Sequence, residues 1–195
     1  MKYILFSLLH GMFIKIYYDL NDNNIYKYLG IKNKNYINEY LKGLFYIFLA
    51  LISTKYPLYT LFYGILFILG FVFDRNAYKN PYEYSGTLIV ITLIFLLNYE
   101  SINNKILYSF VGFTLFIILG SIIFEYYLVK NVEFSNVKLL IRSISSFSLI
   151  SFLLFNNYFN LVPTDIIIII YSLLGYLITS CFFQIFLLNK KKLFV

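Results

Sequence analysis

The stretch IIIIIYSLLGYLITSCFFQIFLL, residues 166–188, contains no charged residue, and its most polar side chain is that of Gln184. At about 1.5 Å per residue, a helix of this length exceeds the roughly 30 Å hydrocarbon core of a bilayer. The stretch lacks the alternation of apolar and polar residues that a membrane β-strand needs. It therefore predicts a transmembrane α-helix.

Six further apolar runs precede this stretch, and none contains more than one charged residue. Their approximate bounds are 3–18, 40–53, 56–73, 84–98, 106–129 and 139–155. The runs 3–18, 40–53 and 84–98 are short for a span, and they need flanking Lys or Tyr side chains that reach the interface, or a thin bilayer. We expect an all-α, polytopic transmembrane helix bundle of about seven spans, forming a single domain over residues 1–195.

The composition agrees with this expectation. The chain is 61% hydrophobic and 13% charged, with a mean hydropathy of +0.76, whereas soluble domains are about half apolar and about a quarter charged. The net charge of +7 comes from cations between the apolar runs, where they meet lipid headgroups. The lipid bilayer is therefore the expected partner, and no nucleic acid is expected. The many Asn, Lys, Ile, Tyr and Phe residues indicate an AT-rich genome.

The distribution of Lys and Arg predicts the orientation. With seven spans, one side of the membrane carries three of the sixteen cations, and the other side carries the remaining thirteen. The three are Lys2, Lys55 and Lys105. Because cytoplasmic loops are enriched in Lys and Arg, we expect the N-terminus outside and the C-terminus in the cytoplasm, or in the equivalent matrix or lumen compartment.

The first predicted helix contains a possible phosphate or metal site. Lys15, Asp19 and Asp22 are spaced four and three residues apart and share one helix face. Two carboxylates can hold Mg²⁺ against a phosphate that a lysine also contacts. Asp74 would add a metal ligand and Arg142 a second phosphate contact. The alternative is a simple Lys–Asp pair followed by a helix-ending turn.

Other polar groups within the apolar runs suggest either a path or packing. His10, Glu125 and Gln184 could line a polar path, because ionisable groups within spans face protein or water. The sequence favours a structural role for His10, as a hydrogen-bond partner of another span. Gly11 beside it would let a neighbouring helix approach closely.

Small residues are concentrated in the last two predicted helices. A dense group of serines beside Arg142 predicts burial within the bundle or a polar path, and a small-residue stripe predicts close packing of the last helix. The serines are Ser143, Ser145, Ser146, Ser148 and Ser151, and the stripe is Ser172, Gly175 and Thr179.

Three function classes remain open. The first is a non-catalytic subunit of a larger membrane complex, with other membrane subunits as partners. The second is a membrane-embedded, Mg²⁺-dependent enzyme that acts on a lipid phosphate or diphosphate from the cytoplasmic leaflet. The third is a small transporter or channel. The chain has one His and one Cys, which argues against a zinc site or a His-based catalytic triad, and it has no phosphate-binding P-loop motif.

Overall fold

The structure is a computed structural model that describes residues 2–22, 34–73, 81–98, 104–123 and 136–193, with side chains described at 2–17, 36–69, 85–98, 106–117 and 139–186. All regular structure in these ranges is helical, which confirms the all-α expectation there. The helices are α1 (Lys2–Asp22), α2 (Lys34–Ser53), α3 (Pro57–Phe73), α4 (Pro81–Leu96), α5 (Asn104–Ile123), α6 (Asn136–Phe159) and α7 (Thr164–Leu193).

A three-residue turn makes α2 and α3 antiparallel neighbours. The N–H of Tyr56 donates to the Ile52 carbonyl over 3.0 Å, which closes the end of α2. Pro57 then begins α3, where a missing N–H costs nothing and the fixed φ suits a helix. The buried Ser53 and Thr60 hydroxyls hydrogen-bond to each other across the turn.

Two asparagines close the corresponding turn between α6 and α7. Asn160 has a φ of 46°, a left-handed conformation that Asn tolerates better than most residues. Its N–H donates to the Asn156 carbonyl over 2.8 Å, and the Asn156 side-chain oxygen accepts the N–H of Val162 over 2.9 Å. Asp165 lies in the first turn of α7, where its negative charge is favourable to the helix dipole.

The main core is formed by α1, α2, α3 and α7. Leu49, Ile52, Tyr59, Phe62 and Ile169 are fully buried there. Further from the α2–α3 turn, a smaller cluster surrounds the buried Leu41 of α2 and includes side chains of α1 and α7. These contacts define two ends of the bundle. We call them the Lys55 end, at the α2–α3 turn, and the Leu41 end.

Helices α1 and α7 run in the same direction. At the Lys55 end, the ammonium of Lys55 lies 5.6 Å from the centre of the Tyr3 ring, near the start of α1. At the Leu41 end, Ile16 of α1 and Phe183 of α7 both pack with Leu41. Each helix therefore passes from the Lys55 end to the Leu41 end, whereas α2 runs in the opposite direction.

Helices α4 and α5 each add one buried residue to this core, Ile91 and Phe110, whereas α6 lies outside it. Helix α4 packs on α3, α5 touches α3, and α6 packs on α7. The residues that α6 leaves exposed include Phe147, Leu154 and Phe155, which are each more than 60% accessible. The outer helices therefore present a large apolar surface.

Two of the described helices contain a segment that is long and apolar enough to cross a membrane, Leu139–Phe159 in α6 and Thr164–Phe186 in α7. Shorter apolar segments occur at Pro57–Leu69, Ser85–Leu96 and Ile106–Ile117. Each predicted apolar run thus overlaps a helix, although the part of the fifth run that contains Glu125 lies outside the described residues.

Candidate functional site

Two glycines bring the main chains of α1 and α7 close together. A Cβ atom on Gly11 would collide with the Ser172 carbonyl oxygen, and one on Gly175 would collide with the Leu8 carbonyl oxygen. Because each glycine lacks a side chain, the main chain of the other helix can approach it closely. This confirms the close approach predicted at Gly11 and the close packing predicted for the stripe at Ser172 and Gly175.

A buried polar cluster lies beside this crossing. His10 is fully buried, and its Nδ1 atom lies 2.7 Å from the hydroxyl of Tyr59, which is also fully buried. This contact joins α1 to α3 and confirms the prediction that His10 hydrogen-bonds another helix. The other ring nitrogen, Nε2, is buried without a hydrogen-bond partner among the described residues, with the Phe45 main chain nearby.

The cluster continues to α7 through a second tyrosine. The hydroxyl of Tyr63 lies 2.5 Å from the Ser172 hydroxyl, and its ring lies 4.9 Å from the imidazole of His10 in an edge-on arrangement. We refer to His10, Tyr59, Tyr63 and Ser172 as the tyrosine–histidine cluster. It links three helices by two hydrogen bonds within the buried core.

The local sequence explains how the cluster forms. Tyr59 and Tyr63 are four residues apart and therefore share one face of α3. Ser172 precedes Gly175 by three residues, so it lies on the face of α7 that the glycine brings against α1. The rings of Tyr59 and Tyr63 are 5.0 Å apart. The two rings thus pack as apolar groups, while their hydroxyls hydrogen-bond to His10 and Ser172.

Lys15 lies on the same α1–α7 interface, toward the Leu41 end. Its side chain is buried, and its ammonium lies 5.3 Å from the centre of the Tyr176 ring. A buried ammonium needs compensation, and the face of an aromatic ring provides part of it. The candidate phosphate ligand Lys15 is therefore held against α7.

Gln184 and Ser180 form a second polar pair on α7 near the Leu41 end. Both are buried, and the Gln184 Nε2 and Ser180 Oγ atoms have no hydrogen-bond partner among the described residues. Gln184 follows Ser172 by twelve residues, which is about 18 Å along a helix. His10 and Gln184, both proposed for one polar path, therefore lie at different levels of the bundle.

The other candidate cation, Arg142, lies on α6 and is partly exposed. Its neighbour Ser143 lies against Cys181 of α7, with 3.9 Å between the oxygen and the sulfur. Tyr176, which contacts Lys15, and Cys181 are five residues apart, or about 140° around the helix. Lys15 and Arg142 thus adjoin different faces of α7.

The hydroxyls of the α6 serines hydrogen-bond to their own helix rather than to a partner helix. Ser143, Ser145, Ser146 and Ser148 each donate to the carbonyl four residues earlier. Ser146 is buried, as predicted for the group, but Ser143 and Ser148 are exposed. The prediction of burial is therefore wrong for these two, because α6 contacts the bundle through one side only.

The acidic candidates are not located by the structure. Asp19 and Asp22 belong to α1, but their side chains lie outside the described residues, as do Asp74 and Glu125 entirely. Among the described residues, no three His, Cys, Asp or Glu side chains are grouped so as to hold a metal ion. The proposed Mg²⁺ site remains a prediction.

Sequence reasoning missed Tyr59 and Tyr63. The chain contains 21 tyrosines, so composition gave no reason to single out two of them. The available signal was their spacing of four residues within an apolar run, which is too general to select them. No protein-family model, curated protein or solved structure matches this chain.

Proposed function

We propose that this chain is an integral membrane protein that crosses the bilayer seven times, with its N-terminus outside and its C-terminus in the cytoplasm or the equivalent compartment. Helix α6 supports the membrane placement most strongly. In the most apolar part of its segment Leu139–Phe159, 6% is buried, against 50% for the corresponding part of the segment in α7. A soluble core helix buries its apolar surface, and monomeric soluble proteins rarely expose patches above a few hundred Å².

The direction of the helices supports seven crossings. An odd number of crossings requires the first and last helices to run the same way, and α1 and α7 do so. The charges agree with this threading. The Lys55 end corresponds to the side with three cations, whereas Lys15 and Lys42 lie toward the Leu41 end. The positive-inside rule therefore assigns the Leu41 end to the cytoplasm.

Within this membrane placement, we propose that the chain is a non-catalytic subunit of a larger membrane complex. The observation that carries this proposal is the contrast between the buried core and the outer helices α5 and α6. In the core, the tyrosine–histidine cluster hydrogen-bonds within itself. In contrast, among the described helices α5 packs mainly on α3 and α6 mainly on α7, which leaves much of their apolar surface for lipid or for the helices of a partner.

The test is gentle extraction from the native membrane, followed by measurement of the mass and composition of the particle. A particle that contains other proteins at fixed stoichiometry is the expected result. A homogeneous particle that contains only this chain and lipid would contradict the subunit proposal and leave the membrane placement standing.

The enzyme acting on a lipid phosphate is the second candidate, and Lys15 favours it. This lysine is buried one helical turn before Asp19, at the end of α1 that would face the cytoplasmic leaflet. In this proposal Asp19, Asp22 and Asp74 would hold Mg²⁺, and Lys15 would contact the phosphate.

The enzyme candidate is tested by the Asp19→Asn variant, with Glu39→Gln as the matched control. Loss of lipid-phosphate turnover in a folded Asp19→Asn protein, with turnover retained in the control, is the supporting result. Turnover in the folded Asp19→Asn variant equal to that of the unaltered protein would eliminate this candidate.

A further inference from the structure

A groove of about 310 Å³ lies between α6 and α7. Its apolar walls include Phe147 and Ile150 of α6, and Ile178, Phe182 and Ile185 of α7. Along α6 it extends from Ser143 to Ile150, which is about 10 Å. The groove is therefore elongated, and its volume is near the lower limit of about 300 Å³ for small-molecule sites.

The position of the groove identifies its surroundings. It lies between the two helices that are each long and apolar enough to cross a membrane, and Phe182 on its wall is 67% exposed. In the proposed membrane placement, it faces the acyl chains of the cytoplasmic leaflet. A single hydrocarbon chain can lie along a groove of this length.

Arg142 is adjacent in the sequence to the α6 residues at one end of this groove. It directly precedes Ser143 and lies one turn before Ser146, two residues that line the groove. Within the described part of the chain, no ion pair or hydrogen bond involves its guanidinium. Side chains on a helix lean toward its N-terminus, and for α6 this is the proposed cytoplasmic interface. A guanidinium there matches the geometry of a phosphate group.

We infer that this groove binds an anionic phospholipid, with one acyl chain between α6 and α7 and the phosphate at Arg142. The inference rests on the proposed membrane placement, but not on either proposed function. The net charge of the lipid matters because Lys138 and Lys190 to Lys192 belong to the same predicted cytoplasmic side. These cations favour an anionic headgroup over a zwitterionic one.

The test uses the purified full chain in detergent and native mass spectrometry, with phosphatidylglycerol and phosphatidylcholine as probes. One bound phosphatidylglycerol, retained about fivefold more than phosphatidylcholine, is expected for a basic residue near an anionic headgroup. Arg142→Gln should reduce this preference, and Lys55→Gln, at the other end of the bundle, should leave it unchanged. Equal retention of both lipids, or equal effects of the two variants, would overturn the inference.

The location is tested separately with Cys181, the single cysteine, which lines the groove. Added phosphatidylglycerol should slow the reaction of its thiol with N-ethylmaleimide in the unaltered protein but not in Arg142→Gln. Unchanged reactivity would contradict binding in this groove. Alkaline carbonate extraction of native membranes tests the membrane placement independently of the lipid site. Release of the chain by this treatment would refute the membrane placement itself, and not only the lipid selectivity.

Discussion

Replacing Gly11 with alanine should destabilise the bundle by forcing α1 and α7 apart. The added Cβ would collide with the Ser172 carbonyl oxygen, a main-chain atom that cannot rotate away as a side chain could. Inserting a methyl group into a well-packed interior costs about 1–3 kcal/mol. Alanine also favours a helix over glycine by about 1 kcal/mol, which offsets part of this cost.

Gly43→Ala is the matched control, because a Cβ atom at Gly43 in α2 meets nothing within 4 Å. The gain in helix propensity is common to both variants, so their difference isolates the collision. The free energy of unfolding should be about 1–3 kcal/mol lower for Gly11→Ala than for Gly43→Ala. Equilibrium unfolding in mixed micelles with a rising fraction of dodecyl sulfate, followed by circular dichroism, measures this difference.

The double variant Gly11→Ala/Gly175→Ala adds a second check. Both substitutions are accommodated by the same separation of the helices, so their combined cost should be less than the sum of the single costs. If Gly11→Ala and Gly43→Ala unfold within a few tenths of a kcal/mol of each other, the reasoning about this crossing is refuted.

Two further predictions concern single hydrogen bonds and turns. Tyr59→Phe leaves His10 Nδ1 without its partner and should lower the free energy of unfolding by about 1–3 kcal/mol. Tyr158→Phe is the control, because Tyr158 is 80% exposed. Equal effects of the two variants would contradict the role of the cluster. Asn160→Val should lower the free energy of unfolding by about 1–2 kcal/mol because of the positive φ, whereas Asn160→Gly should change it little. The same unfolding assay compares the two variants. An Asn160→Val variant as stable as the unaltered protein would show that the turn is not left-handed.

The helices were predictable because apolar runs with at most one charged residue indicate them directly. The existence of a hydrogen-bond partner for His10 was predictable, since a single histidine in an apolar run needs some hydrogen bond. The identity of this partner, Tyr59, depends on which helices are neighbours, and nothing in one sequence specifies helix order. Gly11 was recognisable because a small residue beside a polar one suggests close approach.

The serines of α6 show where the sequence reasoning failed. Their density suggested burial within the bundle because a serine gains nothing by facing lipid. In the structure α6 packs on α7, and each of four serines is satisfied by its own helix. A hydroxyl bonded to its own backbone needs no partner helix, so serine density alone does not distinguish buried faces from exposed ones.

The threading of the chain through the membrane is tested most directly by cysteine labelling in intact cells or sealed native membranes. Thr54→Cys and Leu161→Cys lie at the α2–α3 and α6–α7 turns, and Tyr36→Cys lies near the start of α2. Each is made in a Cys181→Ser background and treated with a membrane-impermeant maleimide. We expect labelling of the two turns from outside, and labelling of position 36 only after permeabilisation. Labelling of all three positions from the same side would contradict seven crossings.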